Sequence, residues 1–248
     1  MTNLDAFKLN PHTIYHNSQS RLTCALNLLL FAKKQFKDSY IIQNLDKLKI
    51  ICEESSLKKP PTEKIISGFI NNGLIDTIKI SICFENYSKA ILIARGYLIH
   101  NIDSNKFKTE AKKQKKNPFL IEEYPGELYN DSKIKTEIDT IRLKYYGLKD
   151  TTEHYSVILN NQEYLNIIKL EPKLVEILIE LNKARNSLHL QYSLSFNLKS
   201  TSYQEFKTLS DFVDTKLNEN IKRLNDYLFG EGNTKKPDFK IATTPNIG

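Results

Sequence analysis

The residues Arg185-Asn186-Ser187-Leu188-His189 place a guanidinium and an imidazole where both can meet one small anionic target. They sit in the run Leu174 to Tyr192, whose Leu174, Ile177, Leu178, Leu181, Ala184 and Leu188 recur at helical period. Arg185 falls four residues after Leu181, and His189 four after Arg185. The two therefore share a helix face, on or beside its apolar stripe. Burying a charge there costs on the order of several kcal/mol unless a carboxylate, a subunit interface or an anionic ligand offsets it. A histidine near its unperturbed pKa gives or takes a proton at neutral pH. An arginine grips non-bridging phosphate oxygens and stabilises the charge that grows on them. In RNA the 2′-hydroxyl is itself a nucleophile, so such a pair needs no metal and no protein nucleophile. In that chemistry His189 is general base or acid, Arg185 the phosphate clamp and Asn186 the orienting group. One chain supplies one such histidine; a dyad of two chains supplies the acid and the base.

A second Arg/His set, Arg95 and His100, is spaced five apart with Gly96 between. That spacing converges less cleanly than i, i+4. A helix C-terminus also welcomes Arg and His through its dipole. Glu85 and Lys89 read as an ordinary i, i+4 helix-surface pair. His12 and His16 share that spacing beside Pro11, with no further ligands for a metal. Cys24, Cys52 and Cys83 are isolated in apolar runs and read as reduced core cysteines. No metal and no cofactor is expected. Tyr145, Tyr146, Tyr155 and Tyr164 are candidates for base stacking, but aromatics at helical spacing usually belong to a core. The structural alternative for Arg185 is a carboxylate of the last helix, such as Asp211 or Asp214. For His189 it is a satisfied core or helix-end position.

The elements that must carry these residues are helices. The pattern predicts a helix from about Ser18 to Lys37, with Leu22, Ala25, Leu26, Leu29, Leu30 and Phe36 inward. A second begins after Asp38-Ser39, good N-cap types. Pro60-Pro61 breaks the pattern. A short helix, Thr62 to Ile70, is expected to stop at the turn-like Asn71-Asn72-Gly73. A longer one then covers Leu74 to Arg95 and ends at Gly96. Periodicity fades from Asn101 to Ser132, where Lys106, Lys108, Lys112, Lys113, Lys115 and Lys116 crowd together. That stretch reads as an exposed basic insertion, either a solvated loop or an arm that tracks a phosphate backbone. Helical spacing resumes at Ile134, Ile138, Ile141 and Tyr145 and stops at Gly147. It returns over Tyr155 to Leu170. Pro172 is placed to open the Arg185 helix. Ser202-x-x-Glu205 has the form of a capping box for the last helix, lined by Phe206, Leu209, Val213, Leu217, Leu224 and Leu228.

These readings give an all-α bundle of about six or seven helices. Residues 1–230 form one domain, with 101–132 as the insertion and 231–248 as a flexible tail. The chain has 248 residues, 40% of them hydrophobic, with only 8 Gly and 8 Pro. The formal net charge of +7 favours an anionic partner, nucleic acid first. Codon bias toward lysine gives the same excess without a binding role. Met1 to Asn10 lacks the apolar stretch of a signal peptide, and no apolar run spans a membrane. The expected setting is the cytoplasm.

The Arg185-to-His189 segment, late in a helix and followed by one more long helix, resembles the signature of the HEPN superfamily. Its members are helical bundles, many of them dimeric ribonucleases of toxin–antitoxin, abortive-infection and CRISPR systems. Their usual motif sets more residues between Arg and His than the three here. The segment from Phe84-Glu85 through Lys89-Ala90 and Gly96 to His100 also resembles a helix of some HEPN proteins. The resemblance implies metal-independent RNA cleavage at Arg185, Asn186 and His189, with Arg95 and His100 as a possible second set. It further implies a homodimer and an antitoxin or defence-system partner protein. Lys112, Lys113, Lys115 and Lys116 would add RNA affinity. Two other classes remain: a catalytically silent helical scaffold binding a protein or RNA, and a DNA-binding protein. No helix-turn-helix pattern favours the latter.

Overall fold

Leucine, isoleucine and phenylalanine at helical spacing, with few glycines and prolines, build a mostly helical chain. In the computed structural model 78% of the described residues are helical and 6% strand, an all-α fold. The structure describes residues 11–56, 63–103, 105, 118–124, 147–187 and 200–230. The elements are α1 (Pro11–Ile14), α2 (Ser18–Lys37), α3 (Tyr40–Gln43), α4 (Leu45–Ser56), α5 (Glu63–Ala94), β1 (His100–Ile102) and a 3-10 turn (Ile121–Glu123). There follow β2 (Leu148–Thr152), α6 (Tyr155–Leu159), α7 (Gln162–Ile168), α8 (Pro172–Ser187), α9 (Ser202–Phe212), a π-helical turn (Val213–Leu217) and α10 (Asn218–Phe229).

These residues group into two compact units. One takes Asn27–Ser88 and Lys169–Arg223. Its core is aromatic: Phe36 meets Phe84 edge-on at 6.2 Å between centroids, and Phe212 lies 5.6 Å from Phe84 and 5.0 Å from Tyr87. Leu174 and Leu178 of α8 and Phe206 and Leu209 of α9 are buried, and these two helices pack together. The other unit takes Met1–Leu26, Lys89–Ile168 and Leu224–Gly248. There β1 and β2 pair antiparallel, His100 opposite Thr152 and Ile102 opposite Leu148, with a register irregularity between. Tyr15, Tyr124 and Tyr164 are among its largest fully buried side chains.

Several expected boundaries move. Helix α5 runs unbroken through Asn71-Asn72-Gly73. Phe69, Gly73, Asp76 and Ile80 share one buried face there, so packing overrides the turn tendency. The expected second helix divides at Asn44, and Tyr155 to Leu170 divides at Asn160-Asn161. Asn161 then caps α7, its Oδ1 accepting the Glu163 N–H at 2.9 Å. No capping box forms at Ser202. Helix α9 starts there, the residue is buried, and the Thr201 hydroxyl donates to Glu205 at 2.8 Å. The two strands were not expected. The π-helical turn suits the i, i+4, i+8 spacing of Leu209, Val213 and Leu217, all buried.

Gly96 does end α5. At φ +86° its N–H reaches Ile93 O at 3.0 Å and that of Tyr97 reaches Leu92 O at 2.9 Å, a Schellman closure. Of the 101–132 stretch, Phe119, Ile121 and Tyr124 are buried. Lys106, Lys108, Lys112, Lys113, Lys115 and Lys116, the expected helix at Ile134 to Tyr145 and the 231–248 tail lie outside the described residues.

Candidate functional site

Helix α8 exists because Pro172 presets its first turn and Leu174, Val175 and Leu178 bury one side of it. Its last turn holds Arg185 and Asn186. Asn186 is exposed. Arg185 is half-buried, and its Nη1 donates to Glu85 Oε2 at 2.5 Å. The Arg185 side chain is 26% exposed and that of Glu85 17%. The partner is therefore a residue of α5, not Asp211 or Asp214. Asp211 instead takes the ammonium of Lys207, one turn back on its own helix. His189 lies outside the described residues.

Glu85 and Lys89 do not form an ordinary helix-surface pair. Neither belongs to a solvated face. Glu85 holds Arg185, while Lys89 is buried and its Nζ donates to Thr152 Oγ1 at 2.8 Å. Burial of a lysine ammonium is tolerated where hydrogen bonds replace its water.

Arg95 and His100 belong to different elements. Arg95 follows the last residue of α5, and His100 opens β1. The His100 ring is buried, with Nδ1 2.7 Å from the Tyr15 hydroxyl. That hydroxyl also accepts the Ile99 N–H at 3.1 Å and so joins α1 to the start of β1. The two rings meet edge-on, 5.3 Å apart. His100 thus has a structural role that holds α1 against the strand. Neither this Tyr15 contact nor the Glu85–Arg185 pair was foreseen, since each joins residues more than eighty positions apart.

His16 and His154 are exposed. Tyr155 and Tyr164 are buried core residues, and burial raises the Tyr164 phenol far above its ordinary value. Burial likewise pushes the Cys24 thiol up to about 12 and raises Cys83 further. All three cysteines are free and buried, and burial that raises a thiol's pKa lowers its thiolate content. Among the described residues no three His, Cys, Asp or Glu side chains gather as a metal site. Among those residues, too, no helix is long and apolar enough to cross a membrane.

Comparison of the chain with protein-family models, with curated proteins and with solved structures finds no match.

Proposed function

We propose that this protein is a metal-independent endoribonuclease of HEPN type, a toxin or anti-phage effector that cleaves RNA by 2′-hydroxyl attack. The observation that carries the reading is the state of Arg185. Only Nη1 is committed to Glu85; Nε and Nη2 make no hydrogen bond among the described residues. A guanidinium that is 26% exposed and held from one side keeps donors for the non-bridging oxygens of a phosphodiester. Exposed Asn186 stands next to it in the chain, and His189 is four residues on from Arg185 in the sequence, outside the described residues. In this reading Arg185 stabilises the charge that grows on phosphorus-bound oxygen. His189 takes the 2′-proton or protonates the leaving 5′-oxygen. A second copy of the chain supplies the complementary histidine. Lys112, Lys113, Lys115 and Lys116 add sequence-independent affinity through the phosphates, and deleting them flattens the dependence of RNA affinity on salt.

The test is incubation of total RNA and tRNA with wild-type protein and with His189→Ala, EDTA present. Cleavage by the wild type alone, leaving 2′,3′-cyclic phosphate or 3′-phosphate ends, is the expected result. Intact RNA in both tubes, with both proteins folded, sinks the reading.

One observation favours the alternative of a catalytically silent scaffold: Arg185 already has a carboxylate partner, so its charge is offset without any ligand. In that case His189→Ala lowers the melting temperature or dissociates an oligomer and leaves no activity to lose.

A further inference from the structure

We propose that Glu85 is the positioning residue for Arg185, fixing the direction in which the guanidinium meets the scissile phosphate. The inference rests on the ribonuclease reading and adds to it a residue from a second helix. Glu85 lies in the second half of α5, flanked on its helix by Phe84 and Ser88, both 0% exposed. Its carboxylate is therefore carried on a rigid support. A free arginine side chain samples many rotamers. Here one N–H of the fork is held at 2.5 Å by a carboxylate whose side chain is 17% exposed. The planarity of guanidinium then sets where the other N–H groups point. Clamps fixed this way contribute to rate because the orienting entropy is lost before the reaction begins.

The pairing is also one-sided. A two-pronged ion pair would occupy the fork that a phosphate needs. Glu85 takes one terminal nitrogen, and the remaining donors make no bond among the described residues. The carboxylate lowers the positive charge at the site, so its benefit lies in orientation and not in attraction. It should therefore act on kcat rather than on KM. Glu85 touches no substrate in this scheme, and its effect on cleavage is exerted through Arg185.

The experiment measures RNA cleavage in EDTA by wild type, Glu85→Ala, Glu85→Gln, Arg185→Ala and the double variant Glu85→Ala/Arg185→Ala. Melting temperatures are taken beside it. Glu85→Ala is expected to lower kcat about tenfold or more, with KM within about threefold. Glu85→Gln, whose amide oxygen still accepts from Nη1, recovers part of that loss. In the Arg185→Ala background the Glu85→Ala change has no further effect. If Glu85→Ala cleaves as fast as the wild type, or if the two losses multiply, the inference fails while the ribonuclease reading stands. If kcat falls only in step with melting and Glu85→Gln recovers nothing, Glu85 is merely structural. RNA left intact by the folded wild type overturns both.

Discussion

Asp76, in the interior of α5, holds the start of α3 by accepting the backbone N–H of Ile41 on Oδ2 at 2.8 Å. Its Oδ1 accepts the N–H of Tyr40 at 3.0 Å. The carboxylate is 1% exposed. Ser39 occupies the N-cap position of α3 but makes no cap bond with its side chain. The cap thus comes from another helix, thirty-odd residues on. It satisfies donors that α3 cannot satisfy itself and places a negative charge at a helix start.

Asp76→Ala should therefore cost about 2–3 kcal/mol, since it strands two N–H groups that were bonded to a charged acceptor. Asp76→Asn should cost less, because one oxygen remains to accept. The denaturation midpoint should fall with the slope unchanged. A shift of Asp76→Ala within about 0.5 kcal/mol of wild type, the usual range for a surface change, would show that water or a rearranged α3 takes over the cap.

Gly68 faces Tyr40 across the same contact. A Cβ there would meet Tyr40 Cζ at 3.0 Å and Cε1 at 3.3 Å, with the hydroxyl closer still. Tyr40 is half-buried and packed edge-on to Phe69, 5.4 Å away, so yielding to a Cβ would disturb that ring contact. Alanine gains about 1 kcal/mol over glycine within a helix, while overpacking costs about 1–3 kcal/mol. Gly68→Ala is expected to lose about 1 kcal/mol net. Removing the hydroxyl in Gly68→Ala/Tyr40→Phe should recover much of it. A Gly68→Ala protein more stable than wild type would mean that the ring moves aside freely.

Such devices explain how far the sequence could be read. The bounds of α2 follow from its apolar face, and the end of α5 from the φ +86° that only glycine adopts easily at position 96. Pro172 marks the start of α8 through its fixed φ. These are local demands, and residue type announces them. Asn71-Asn72-Gly73 misleads because its local tendency yields to a buried face that continues on both sides. The partner of Arg185 was not legible for a different reason. Any carboxylate on a neighbouring helix answers the same chemical need, and only the packing of α8 selects Glu85. The strand at His100 was hidden too, because three residues carry too little period to recognise.

Lys169 lies just past α7 with φ +60°, the only non-glycine residue with positive φ among those described. A side chain in the left-handed region costs about 1 kcal/mol or more, and a helix end commonly places glycine there. Lys169→Gly should raise stability by about 0.5–1 kcal/mol, part of the gain being offset by the freer unfolded chain. Lys169→Val should lower it by a similar amount, because a branched Cβ suits that region poorly. Equal midpoints for the two variants would show that the turn opens to a right-handed conformation at no cost.

Stability should fall at alkaline pH through the buried thiols. The Cys24 pKa is raised by burial from 9.0 to about 12. The folded state therefore keeps this thiol protonated where the unfolded chain gives up the proton. A group raised in this direction contributes fully below pH 9, and its contribution is lost between pH 9 and 12. While it is being lost, each such group removes about 1.4 kcal/mol per pH unit. Cys83 and Tyr164 are raised by the same cause and act in the same sense. Unfolding free energy measured across pH 8 to 12 should decline steeply for wild type. Cys24→Ala starts lower, because it leaves a small void, but should decline less steeply by about 1.4 kcal/mol per unit over that window. Parallel curves for the two proteins would mean that Cys24 reaches solvent and ionises before global unfolding.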